Sequence, residues 1–110
     1  MKTVQVALRD SDQARSLRDV LSGDGGHRVH LVDRPDAAIS GVIVMDLERL
    51  ETSGALGSVP ERVIVVAPRT REDLATVWEA GVRHVVFQGD DLQAVRVAVL
   101  AIELTLAAYD

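Results

Sequence analysis

Five short apolar runs rich in β-branched residues recur along the chain, at residues 4–8, 27–32, 41–46, 62–67 and 83–87. Two of them, Val42-Ile43-Val44-Met45 and Val63-Ile64-Val65-Val66, contain no polar residue, which predicts strands buried on both faces. The run at 27–32 carries Val29, Leu31 and Val32 among polar neighbours, as expected of a strand near a sheet edge. Between the runs the spacing changes to three and four. Ala14, Leu17, Val20 and Leu21 predict a helix that Asp10 or Ser11 can cap. Residues 71–80 predict another, capped by Thr70, with Glu72 and Asp73 in its first turn and Gly81 ending it. Leu92, Val95, Val99, Ile102 and Leu106 predict a final helix running to about residue 108. Residues 34–40 hold a short helical stretch at most, and 47–58 leave room for about two turns.

Strands and helices that alternate over short connections specify an α/β fold. Each parallel crossover carries its helix back over the sheet, so helices are expected on both faces. A length of 110 residues suits one domain spanning 1–110.

Composition removes several classes of function. Cysteine is absent, which excludes disulfides and thiolate metal sites. A net charge of −5 argues against nucleic acid, whose phosphates need a basic face, and only three aromatic residues are available for base stacking. No signal-like leader or membrane-length apolar run occurs, so the expected location is cytoplasmic and no membrane partner is expected. The glycines at 23–26 follow a helix and precede a strand, the wrong context for a phosphate loop. His27 and His30 lie three apart on an extended segment, so they point to opposite faces and read as surface histidines. No acid–base pair, activated nucleophile or metal-ligand cluster appears, and the chain does not read as an enzyme.

One residue stands out. Asp46 ends the central buried strand, at the sheet edge where α/β folds bind ligands. A carboxylate there needs partners; the plainer alternative is that it caps the following turn. The segment Ile43-Val44-Met45-Asp46-Leu47, and with it Glu79-Ala80-Gly81-Val82-Arg83-His84-Val85-Val86, resembles the receiver domain of bacterial response regulators. The resemblance covers essentially the whole chain. It implies a flavodoxin-like sheet of order 2-1-3-4-5, with Asp46 at the phosphoacceptor position.

The family's phosphotransfer also uses an acidic pair, a hydroxyl and a lysine. Two acids and the acceptor hold Mg²⁺, while hydroxyl and ammonium bind the phosphoryl oxygens. In this sequence the acidic pair falls on Arg9 and Asp10, the hydroxyl position on Ala67 and the lysine position on Gln88, followed by Gly89. The connection at 33–40 is also too short for the family's usual second helix. The resemblance is therefore to a degenerate, or pseudo-, receiver. It implies a phosphorylation-independent binding or dimerisation module in signalling, with a protein partner or an adjoining domain of a longer chain. No cofactor is expected; Mg²⁺ at Asp10 and Asp46 is the one candidate. Arg9 is expected to stand in for the metal charge by pairing with Asp46 or Asp10.

A second resemblance is to the anti-sigma-factor antagonist (STAS) module, through Val44-Met45-Asp46-Leu47 and residues 51–57, with Ser53 as its phosphoserine. That reading calls for an antiparallel opening hairpin. The final helix carries a further signal. Val97, Leu100 and Leu104 lie nearly opposite its core-facing residues, with Arg96 and Glu103 forming a narrow charged stripe between. A helix apolar nearly all round predicts a second neighbour, and a homodimer through these three residues is the expected one.

Overall fold

A computed structural model describes residues 2–23, 26–52 and 59–108. The chain runs β1 (Lys2–Ala7), α1 (Ser11–Ser22), β2 (His27–Leu31), β3 (Val42–Asp46), α2 (Leu47–Thr52), a 3₁₀ turn (Pro60–Arg62), β4 (Val63–Ala67), α3 (Arg71–Glu79), β5 (His84–Phe87) and α4 (Leu92–Ala108). The five strands form one sheet in the order β2-β1-β3-β4-β5, every pair parallel. The opening pair, β1 and β2, is parallel as well, so the hairpin required by the antagonist reading is absent. Ser53 lies outside the described residues.

The two uninterrupted apolar runs became β3 and β4 at the sheet centre, where Val42, Ile43, Val44, Met45, Val63, Ile64 and Val65 have no exposed surface. Alternate residues feed two cores. On one face Val4, Val6, Val44 and Ile64 pack with Leu17 and Leu21 of α1 and Val95, Val99 and Ile102 of α4. On the other, Ala7, Ile43, Met45 and Val65 pack with Val77 of α3, and Leu47 and Leu50 of α2 lie against them. Each fully buried Leu or Ile contributes about 1.5–3 kcal/mol relative to exposure.

The link between β2 and β3 contains no helix. A polar device holds it down instead. Gln5 is buried in the middle of β1, where its amide Nε2–H donates to the Asp36 carbonyl at 2.9 Å and its Oε1 accepts the Asp36 N–H at 2.8 Å. A side-chain amide thus pairs with the link as another strand would. Arg62 adds a second anchor, donating to the carbonyls of Ala37 (2.6 Å), Ile39 (2.9 Å) and Gly41 (3.2 Å). Gly41, at φ +118°, then re-enters the sheet so close to β1 that a Cβ would fall 2.1 Å from the Thr3 carbonyl oxygen.

Two side chains depart from the sequence reading. His27 is no surface residue: it is 6% exposed and its Nε2 lies 2.9 Å from Glu103 Oε1. Glu103 correspondingly leaves the charged stripe of α4 and is buried at 7% exposure. Periodicity within one element could not reveal a pair that is 76 residues apart.

Candidate functional site

Because all strands are parallel, Ala7, Asp46, Ala67 and Phe87 end at one edge of the sheet. Connections leave β1 and β3 toward opposite faces, and the split opens a crevice. A cleft of about 1120 Å³ lies there, lined by Arg9, Asp10, Gln13, Asp46, Leu47, Glu48, Val66, Pro68, Asp73 and Gln88. The structure therefore brings Arg9, Asp10, Asp46 and Gln88 to one cleft. Ala67 is fully buried beneath, with Val66 and Pro68 forming the wall on either side of it.

Each carboxylate in the cleft already has work. Asp46 Oδ2 accepts the backbone N–H of Arg9 at 2.7 Å, and Oδ1 accepts the backbone N–H of Arg49 at 2.9 Å. The first bond ties the β1–α1 loop to β3, and the second caps α2. Asp10 is the N-cap of α1: its Oδ1 accepts from the N–H groups of Asp12 (3.0 Å) and Gln13 (3.1 Å). The plainer expectation for Asp46, a cap on the next turn, is thus realised together with a second bond across the cleft.

Arg9 corrects an expectation. Its guanidinium does not pair with Asp46 or Asp10 in the structure; Nη1 donates to Glu48 Oε2 at 2.7 Å. Only its backbone reaches Asp46. The side chain is 74% exposed and its guanidinium reaches the Glu48 carboxylate, while Asp46 holds two backbone N–H groups. Glu48 and Asp73 were not anticipated as part of the cleft. Glu48 sits two residues after Asp46 in α2, a placement that only the helix start reveals.

The remaining rim is equally committed. Thr70, the nearest hydroxyl after β4, caps α3: Oγ1 accepts the Asp73 N–H at 3.2 Å and donates to Asp73 Oδ2 at 2.7 Å. Arg69 lies 4.2 Å over the Phe87 ring and pairs with Asp90 at 3.2 Å, and Asp90 in turn accepts the Phe87 N–H. These contacts lock the β4–α3 loop to the β5–α4 loop. Gln88 is exposed at the mouth, and Gly89, at φ +88°, turns the chain away behind it.

Mg²⁺ needs several free oxygens in octahedral array. Asp46 and Asp10 instead face backbone donors, and a guanidinium occupies one acidic-pair position. Among the described residues no group of three or more His, Asp or Glu is placed to hold a metal ion. The donor set does not fit Mg²⁺.

The all-parallel 2-1-3-4-5 sheet with Asp46 at the carboxyl end of its central strand defines a receiver-domain fold, and solved structures agree. The receiver domain of HemR from Leptospira biflexa superposes with a TM-score of 0.74 at 11% identity, over 93% of this chain and 94% of that one. The N-terminal domain of an uncharacterised Wolinella succinogenes protein gives 0.73 at 19% identity, over 100% and 99%. A Burkholderia thailandensis protein provisionally assigned to pilus assembly gives 0.65 at 19%, over 94% and 98%. No family model matches the chain, and no curated protein sequence matches it.

Proposed function

We propose that the chain is a non-enzymatic receiver-fold module of signal transduction that acts through protein contacts and does not use phosphate on Asp46. The observation that carries this reading is the engagement of both Asp46 oxygens by backbone N–H groups, from Arg9 and Arg49. Those bonds make the carboxylate a bridge between the β1–α1 loop and α2, and phosphoryl transfer to it would further need cations to offset the charge of the transferring group. Here Gln88 supplies no ammonium, Ala67 no hydroxyl, and Arg9 spends its charge on Glu48.

The contact surface is α4, and its partner is a second copy of the chain. Val97 is 64%, Leu100 38% and Leu104 73% exposed, while Val95, Val99 and Ile102 on the opposite side are buried. Residues 97, 100, 101 and 104 follow the three-four spacing that lets two helices interlock. Burying Leu104 and its neighbours contributes roughly 1.5–3 kcal/mol per side chain before association entropy is deducted. The Wolinella structure is the N-terminal domain of a longer protein, which supports an adjoining domain as well. The proposed setting is the cytoplasm; among the described residues no helix is long and apolar enough to cross a membrane.

Sedimentation velocity over a concentration series tests both halves. The wild-type chain should dimerise to the same extent with and without acetyl phosphate and Mg²⁺, and Leu104→Glu should be monomeric. A wild-type monomer throughout would sink the self-association, and a dimer that forms only with phosphodonor would sink the independence.

A further inference from the structure

Away from the cleft, the sheet ends at β2, which pairs with β1 alone. The Lys2 N–H donates to the Gly26 carbonyl and the Val32 N–H to the Val6 carbonyl, which fixes the phase of this parallel ladder. Residues 28, 30 and 32 therefore turn their backbone groups toward β1, and Val29 and Leu31 turn theirs outward. Among the described residues nothing meets the N–H and C=O of Val29 and Leu31. Three residues of β2, Arg28, His30 and Leu31, are exposed, whereas β5 at the opposite edge has none.

The two faces of this edge differ in chemistry. Val29 packs on the core shared with α1 and α4, and Leu31 follows it on the same face at 40% exposure. A hollow of about 440 Å³ opens beside Leu31, with Val6, Leu8 and Ala14 in its wall. Arg28 and His30 alternate to the other face, where Val32 packs on the second core. There the helix-free link covers β1 and stops. Gln5 is 3% exposed beneath Asp36, while its register partner His30 is exposed. Neither Arg28 nor His30 takes a salt bridge or a side-chain hydrogen bond among the described residues.

We propose that the outer edge of β2 receives an extended segment of an acidic partner protein as a sixth strand, its residues alternating between carboxylate and apolar. The main-chain groups of Val29 and Leu31 supply the hydrogen bonds. Carboxylates opposite Arg28 and His30 supply the charge match, and apolar side chains on the other face cover Leu31 and enter the hollow. Asp33 and Asp36 follow beyond the strand end, so the acidic positions of the segment belong at Arg28 and His30. A second copy of β2 is the poorer occupant. Antiparallel pairing about Val29 would set Arg28 opposite His30, donor against donor, and charged edge residues of this kind discourage self-pairing. The site shares no residue with the cleft or with the exposed seam of α4, so it stands or falls apart from both.

The probe is the acetylated, amidated peptide Thr-Val-Glu-Val-Glu-Val-Thr, titrated into the ¹⁵N-labelled chain. Amide shifts should concentrate at residues 28–33, and exchange of the Val29 and Leu31 amides with solvent, fast in the free chain, should slow on binding. A fully N-methylated version keeps the side chains, loses every backbone donor and should not bind. Arg28→Glu should weaken binding of the acidic peptide by about tenfold, and Thr-Val-Lys-Val-Lys-Val-Thr should then bind in its place. No shift at residues 28–33, equal binding of the N-methylated or lysine peptide to wild type, or unchanged binding in Arg28→Glu would overturn the proposal. So would concentration-dependent shifts at these residues without peptide, which would give the edge to a second copy.

Discussion

At the scale of single residues, Asp46 bridges two sides of the cleft. Two backbone N–H groups, one from the β1–α1 loop and one from the first turn of α2, end on its two oxygens. Asp46→Ala strands both, and a lost cap alone costs about 0.5–2 kcal/mol; the expected total is about 1–3 kcal/mol in urea unfolding. Asp46→Asn keeps one acceptor oxygen and should lose less than half of that. Arg9→Ala separates the backbone contribution from the side chain. Its guanidinium makes an exposed ion pair, worth about 1 kcal/mol at most, while the backbone N–H that serves Asp46 is untouched. Equal losses in Asp46→Ala and Arg9→Ala would show that the guanidinium, not the carboxylate bridge, organises the cleft. Asp46 stood out in the sequence because a charge ending a buried strand is rare. Its partners did not, since a backbone N–H carries no sequence signal.

At the scale of elements, the strands were readable from β-branched runs and the helices from their spacing, because one periodicity excludes the other. The link between β2 and β3 was only half readable. Its shortness showed, but nothing in the apolar run at 4–8 marked Gln5 as the side chain that anchors the link. Gln5→Met keeps the bulk and removes both bonds, leaving the Asp36 N–H and carbonyl without their partner. A loss of about 2 kcal/mol is expected, with faster amide exchange at residue 36 as the local sign. Gly41→Ala should cost more, about 3 kcal/mol or above, because the added methyl meets the Thr3 carbonyl and φ is +118°. A variant that melts like wild type would mean that the link can move aside, and that Gln5 and Arg62 do not fix it. The His27–Glu103 pair was beyond reach for another reason: each half, read on its own element, takes the surface role that its residue type usually has.

At the scale of the whole molecule, a complete receiver-like sheet carries a cleft whose polar groups are spent on holding loops together. The sheet is intact because its strands need only apolar alternation. The proposed departure from phosphotransfer rests on three of the five positions that such chemistry uses, where Arg9, Ala67 and Gln88 stand in this sequence. The unspent apolar surface lies elsewhere, on α4 at Val97, Leu100 and Leu104. The most direct measurement of this division is intact-mass spectrometry after incubation with acetyl phosphate and Mg²⁺. A phosphorylation-independent module keeps an unchanged mass, in wild type and in Asp46→Asn alike. A stoichiometric phosphoryl adduct on wild type that disappears in Asp46→Asn would contradict it.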